Sequence, residues 1–102
     1  MMKVFLSELA ESKLLKLSEY LLENWSLKIR NKFIEKVSEK IKQISSQPDS
    51  CPKSSEFIGL YKCVVTKQTT FYYRISNDLK EIEIITIFDT SQNPDKLKRD
   101  FK

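Results

Sequence analysis

The chain has 102 residues, of which 40% are hydrophobic and 31% charged, with one Gly, three Pro and a formal charge of +4; this is the profile of a globular domain rather than a disordered or fibrous chain. There is no His, which excludes His-based metal sites and Ser/His or Cys/His nucleophile arrangements. Apolar runs stop at four or five residues, as in Ile84-Ile85-Thr86-Ile87-Phe88, far short of a membrane-spanning helix.

Residues 2–6 read as a short strand, running straight into polar Ser7 and Glu8. That apolar opening is too short for a secretion signal, so a cytoplasmic protein without metal or cofactor is expected. Ser7 is an N-cap, with Glu8 and Glu11 in the first turn where the helix dipole favours acids. Ala10, Leu14, Leu17, Leu21 and Trp25 then recur at helical spacing, and Trp25 is expected to plug the base of a helical hairpin. Ser26 caps a second helix whose buried stripe is Ile29, Phe33, Val37, Ile41 and Ile44. With almost no linker between them, the two helices form an αα-hairpin. Pro48 and Pro52 fall in a polar loop over 45–56.

The period then changes. Residues 57–66, 70–75 and 82–88 are rich in Val, Ile, Thr, Tyr and Phe, as strands are. Lys67-Gln68-Thr69 and the stretch around Ser76-Asn77-Asp78 are short enough for hairpins. The expectation is an α+β fold in the order β-α-α-β-β-β, one domain over 1–102. It is an antiparallel four-stranded sheet with the N-terminal strand on its edge and the helical hairpin packed on one face. Asn93-Pro94-Asp95 starts a short charged segment, and Cys51 and Cys63, lacking a CxxC spacing, are expected as free thiols.

Charge is +2 in each half, but residues 57–75 carry Lys62, Lys67 and Arg74 with no acid. Residues 76–89 carry Asp78, Glu81, Glu83 and Asp89 against Lys80 alone. Such a pattern suits an anionic partner and equally suits cross-strand ion pairs in a sheet.

The element order, together with several local stretches, resembles the RelE/ParE toxin superfamily of bacterial type II toxin–antitoxin systems. Ser7-Glu8-Leu9-Ala10 is similar to the start of the family's first helix. Leu17 through Tyr20-Leu21 is similar to its leucine and tyrosine-leucine signature, and Ile41-Lys42-Gln43-Ile44 with Pro48 beyond to the end of its second helix. The run from Gly59 to Ile75, with Tyr73-Arg74 near its end, resembles the central hairpin. Phe88-Asp89-Thr90-Ser91-Gln92-Asn93-Pro94 resembles the turn after the last strand. Tyr61 and Ser91 stand where such proteins often carry Arg.

The resemblance implies a toxin, a cognate antitoxin, a plasmid-stabilisation type of role and one of two targets. RelE-like members cleave messenger RNA on the ribosome, and ParE-like members poison DNA gyrase. RNA cleavage without His would rest on Lys, Arg and Tyr: Lys62, Lys67 and Arg74 as cations, Tyr72 or Tyr73 as proton donor. Alternation along a strand puts Tyr72 and Arg74 on one face and Phe71, Tyr73 and Ile75 on the other. The second, more apolar set is expected in the core and the first outward. Each candidate also fits a plainer role. Tyr72 and Arg74 suit a solvated sheet face, Lys67 an exposed turn, Lys62 a protected edge strand, and Asp89 a turn cap through Thr90 and Ser91.

RNA-cleaving relatives carry a catalytic Tyr or Arg near the C-terminus. Here no Tyr follows Tyr73, and only Arg99 lies beyond Arg74. The expectation is therefore a ParE-like toxin that inhibits gyrase, with Lys62, Lys67, Tyr72 and Arg74 as the partner-binding set and an antitoxin tail pairing its acids with the cations. Exposed backbone on an edge strand offers a second docking mode. The alternatives are a RelE-like, ribosome-dependent endoribonuclease using Lys62, Arg74 and Tyr72, or an inert relative retaining only antitoxin binding.

Overall fold

The structure is a computed structural model that describes residues 1–89. The elements are β1 (Lys3–Leu6), α1 (Glu8–Asn24), α2 (Leu27–Ser46), β2 (Tyr61–Val64), β3 (Thr69–Ser76) and β4 (Glu81–Asp89). Both helices start at the expected serines, each with extended backbone. The Ser7 hydroxyl accepts the Ala10 N–H at 3.0 Å, and that of Ser26 accepts the Ile29 N–H at 3.1 Å, satisfying donors that the first helical turn leaves open. Only Trp25 and Ser26 separate the helices, which pack against each other as a hairpin.

The stripes hold over most of their length. Ala10, Phe33, Val37 and Ile44 are buried, and Leu14, Leu17, Leu21 and Ile41 half-buried. Trp25 departs from expectation: it is 68% exposed and plugs nothing. The helix ends at Asn24 and Trp25 has turned to φ −124°, ψ −92°, so a further step of four no longer lands on the buried face. Ile29, in the first turn of α2, is exposed as well.

The four strands lie in the order β1-β4-β3-β2. β2 and β3 pair antiparallel, as do β3 and β4, but β1 runs parallel to β4, with Val4 opposite Ile82 and Leu6 opposite Ile84. The sheet is thus mixed rather than purely antiparallel. No tight turn joins β1 to its neighbour, so its direction is set by how the hairpin α1–α2 returns the chain. The Lys3 N–H donating to the Lys80 carbonyl and the Ser7 N–H donating to the Ile84 carbonyl fix it there.

β2 is shorter than the 57–66 run suggested. The Ser54 hydroxyl accepts the N–H groups of Glu56 and Phe57, and Gly59 takes φ +86°, a conformation glycine adopts without a Cβ penalty. Residues 54–60 form bends and one turn rather than strand, despite Phe57, Ile58 and Leu60. Pairing of β3 with β4 steps from Tyr72–Thr86 to Tyr73–Ile84, leaving Ile85 as the extra residue of a β-bulge. The Ser7 hydroxyl donates to the Ile85 carbonyl at 2.6 Å, so one side chain caps α1 and supports the bulge.

Because the bulge resets the alternation, Ile82, Ile84 and Ile87 all reach the core, joining Ala10, Ile44, Cys51, Cys63, Phe71 and Tyr73. Cys51 and Cys63 are both free and buried. Among the described residues no helix is long and apolar enough to cross a membrane. The expected segment from Asn93-Pro94-Asp95, together with Thr90, Ser91 and Arg99, lies outside the described residues.

Candidate partner-binding face

Opposite the helices, register brings part of the candidate set together. Lys62 on β2 pairs across to Tyr72 on β3, and Arg74 two residues on pairs with Glu83 of β4. Phe71 and Tyr73 are buried in the core beneath the helices, so Tyr72 and Arg74 take the other face, as alternation requires. Lys67 does not join them. It is exposed in the β2–β3 turn, where the Thr66 hydroxyl accepts the N–H groups of Gln68 and Thr69 at 3.1 Å each. Arg74 lies toward the far end of β3, about 17 Å from Thr69 at the usual rise per strand residue.

Tyr72 faces away from the helices yet is only 2% exposed, so it is not part of a solvated sheet face. The Phe57 ring meets it edge-on, with centroids 5.4 Å apart and planes at 89°. Burial, with a smaller push from the Glu56 carboxylate, raises its hydroxyl above the ordinary phenol range, holding it protonated. Arg74 remains exposed, but its guanidinium donates to Glu83 Oε1 at 2.7 Å. The Lys62 ammonium stands 3.9 Å from Glu56 Oε1. Each of these two cations thus faces a carboxylate of its own chain.

Sequence reasoning missed Glu56 and Phe57, which come from the loop before β2 and reach over the face. A signal was present for Glu56, the only acid between Cys51 and Asn77 and so the one local counter-charge for Lys62. None was present for Phe57, whose apolar neighbours read as strand.

Tyr61 and Tyr73 belong to the other face. Their rings stack at 5.2 Å and 15°, so Tyr61 is an aromatic partner of a core residue. The Tyr73 hydroxyl donates to the Pro48 carbonyl at 2.7 Å and is raised by burial, then by the nearby Cys51. Tyr73 therefore joins the core to the loop after α2.

The helical hairpin offers a second feature. Leu15, Leu22, Trp25 and Leu27 are exposed around its outer face and tip. A cleft of about 210 Å³ between the hairpin and the sheet is lined by Leu17, Leu21, Phe33, Lys32, Lys36 and Asp89 among others. A turn-capping role for Asp89 through Thr90 and Ser91 falls outside the described residues.

The chain matches the family described as the ParE toxin of the type II toxin–antitoxin system, parDE, over residues 4–94. Among curated proteins there is no match. Among solved structures, the chromosomal ParDE toxin–antitoxin system from P. aeruginosa superposes with a TM-score of 0.72 at 18% identity, over 87% of this chain and 96% of that one. The RelBE2 toxin–antitoxin complex from Mycobacterium tuberculosis gives 0.60 at 19% identity, over 86% and 96%. The isolated E. coli RelE toxin gives 0.62 at 12% identity, over 97% and 98%. These likenesses carry the fold, while the family match spans β1 to β4 and beyond; the chain belongs to the ParE toxins of type II toxin–antitoxin systems, within the RelE/ParE superfamily.

Proposed function

We propose that this toxin acts by binding a protein target, DNA gyrase, rather than by cutting RNA, and that a cognate antitoxin silences it. The observation that supports this reading is the pairing of the two best candidate cations, Arg74 with Glu83 and Lys62 with Glu56. RNA cleavage needs cations preorganised toward a developing phosphorane. Here an incoming phosphate would first have to displace a carboxylate from each. Tyr72, the expected proton donor, is closed over by Phe57. Paired charges of this kind suit a protein interface, where they set register and reject wrong partners.

The antitoxin reading uses both features of the surface. An acidic tail would neutralise Lys62, Lys67 and Arg74, while apolar side chains covered Leu22 and Trp25 at the hairpin tip, in an interface on the order of 1,600 Å² in total. On this reading the protein works in the cytoplasm. Purified protein added to gyrase and DNA should stall gyrase–DNA complexes and stop supercoiling, and the product of the neighbouring antitoxin gene should restore turnover. Intact supercoiling at excess protein would reject gyrase as target. Codons cleaved on translating ribosomes, and lost with Lys62→Ala or Arg74→Ala, would establish the nuclease reading instead. Antitoxin binding without growth arrest would mark an inert relative.

A further inference from the structure

Cys51 and Cys63 are twelve positions apart, one in the loop after α2 and one on β2. The loop pairs with the strand at residues that lie between them. Lys53 and Tyr61 form an antiparallel bridge, flanked by the Ser54 N–H donating to the Leu60 carbonyl at 2.8 Å and the Lys62 N–H donating to the Pro52 carbonyl at 2.9 Å. Lys53–Tyr61 is therefore a non-hydrogen-bonded pair, and Pro52–Lys62 is the next, hydrogen-bonded position. Pro52 has no N–H to return, so the ladder ends there.

The same register carried one pair further sets Cys51 opposite Cys63, again at a non-hydrogen-bonded position. Facing Cα atoms are closest at such positions, about 4.5 Å apart, within the range a disulfide spans. The side chains are neighbours: both are buried in the same core cluster, and Cys51 is close enough to help raise the Cys63 thiol. The Tyr73 hydroxyl, donating to the Pro48 carbonyl, holds the segment before Cys51 down on the sheet. The pair also borders a cleft of about 240 Å³, lined by both cysteines and with Lys40, Gln43 and Lys62 among its walls.

We propose that Cys51 and Cys63 are a dithiol oxidation site, closed to a disulfide by a small peroxide. The sulfur of Cys51, the less deeply buried residue of the two, attacks one peroxide oxygen; the O–O bond breaks and water leaves, giving the sulfenic acid. The Cys63 sulfur then displaces that oxygen, forming the S–S bond, and its proton departs with the oxygen as a second water. Two thiols are oxidised and one peroxide is reduced, so the step balances without a metal. The bond would staple the loop 47–60 to β2. That loop carries Glu56 and Phe57, which lie against Lys62 and Tyr72, so oxidation would fix the arrangement of the outer face, whichever target the toxin has.

The test uses the full reduced chain treated with hydrogen peroxide. The expected product is lighter by two hydrogens, gives a linked peptide containing Cys51 and Cys63, and reverts with dithiothreitol. Trypsin cleavage after Lys53 should slow severalfold in the oxidised form. Cys51→Ser and Cys63→Ser should each lose the cross-link, and Cys63→Ser should accumulate oxygen on Cys51. Because both substitutions fall in the core, the wild-type peptide map decides. Two free thiols after peroxide, or oxygen added at sulfur with no link between the two cysteines, would overturn the proposal.

Discussion

Arg74 and Glu83 stand opposite each other on β3 and β4, joined by a 2.7 Å hydrogen bond on the face away from the helices. The guanidinium side is well exposed, so the pair contributes little to folding, about 0–1 kcal/mol. Its removal therefore reports on function with little structural cost. Arg74→Ala should leave the denaturation midpoint nearly unchanged. Glu83→Gln should release Arg74 and, if the pairing restrains toxicity, increase growth arrest on induction. A fall in toxicity with Glu83→Gln would show that the pair itself is part of the docking surface.

Ser7 and Ser26 look equivalent in sequence but differ in what they hold. Ser26 caps one helix at an exposed turn, whereas Ser7 also donates to the bulged Ile85 carbonyl, 78 positions away. Ser26→Ala should cost about 1 kcal/mol, the ordinary value for a lost N-cap. Ser7→Ala should cost about 2 kcal/mol or more, because a second, longer-range bond is lost with the cap. Urea titrations with unchanged slope would measure both.

Tyr73→Phe removes only the hydroxyl that donates to the Pro48 carbonyl. The ring stacking with Tyr61 survives, so the loss should be that of one hydrogen bond, about 1 kcal/mol. The loop from Gln47 to Leu60 should open more readily. Faster amide exchange at Ser54 and Lys62, which bond across that loop, would show it.

Alkaline pH should weaken the fold. Burial and the neighbouring Cys51 push the Cys63 thiol up to about 12 from an ordinary value of 9.0, and Tyr73 is raised in the same direction. A raised acid keeps its proton longer when folded than when unfolded. Its stabilising contribution is thus complete below about pH 9 and declines as pH climbs toward 12, by up to about 1.4 kcal/mol per pH unit for one group. Denaturation midpoints measured from pH 8 to 11 should fall, and Cys63→Ala should flatten the fall while lowering the neutral-pH value.

Trp25→Ala should change stability by less than about 0.5 kcal/mol, as an exposed side chain without core contacts allows. If the hairpin tip meets the antitoxin, the same substitution should weaken antitoxin binding by tenfold or more, about 1.4 kcal/mol, measurable by calorimetry.

The contrast between Trp25 and Phe33 shows what the sequence could and could not reveal. Both sit at helical spacing, but periodicity holds only while the helix continues. Phe33 lies inside α2, and Trp25 one residue past the end of α1. The serine caps and the Val/Ile/Tyr-rich strands were legible because they depend on neighbours in sequence. The direction of β1 was not, since nothing in Lys3-Val4-Phe5-Leu6 records how the chain comes home after the 74 residues between Leu6 and Glu81. At the candidate site, alternation placed Tyr72 and Arg74 on the correct face. It could not foresee that Phe57, from a loop 15 positions earlier, would cover one of them.

The strand order β1-β4-β3-β2 has a consequence for synthesis. β1 leaves the ribosome well before β4 and can find its partner only when that strand has followed. The sheet therefore closes late, through a contact of long loop and slow formation. Until β4 inserts, β1 and β3 both present open backbone, so a chain stalled before Glu81 would be an aggregation-prone fragment with no assembled toxin fold.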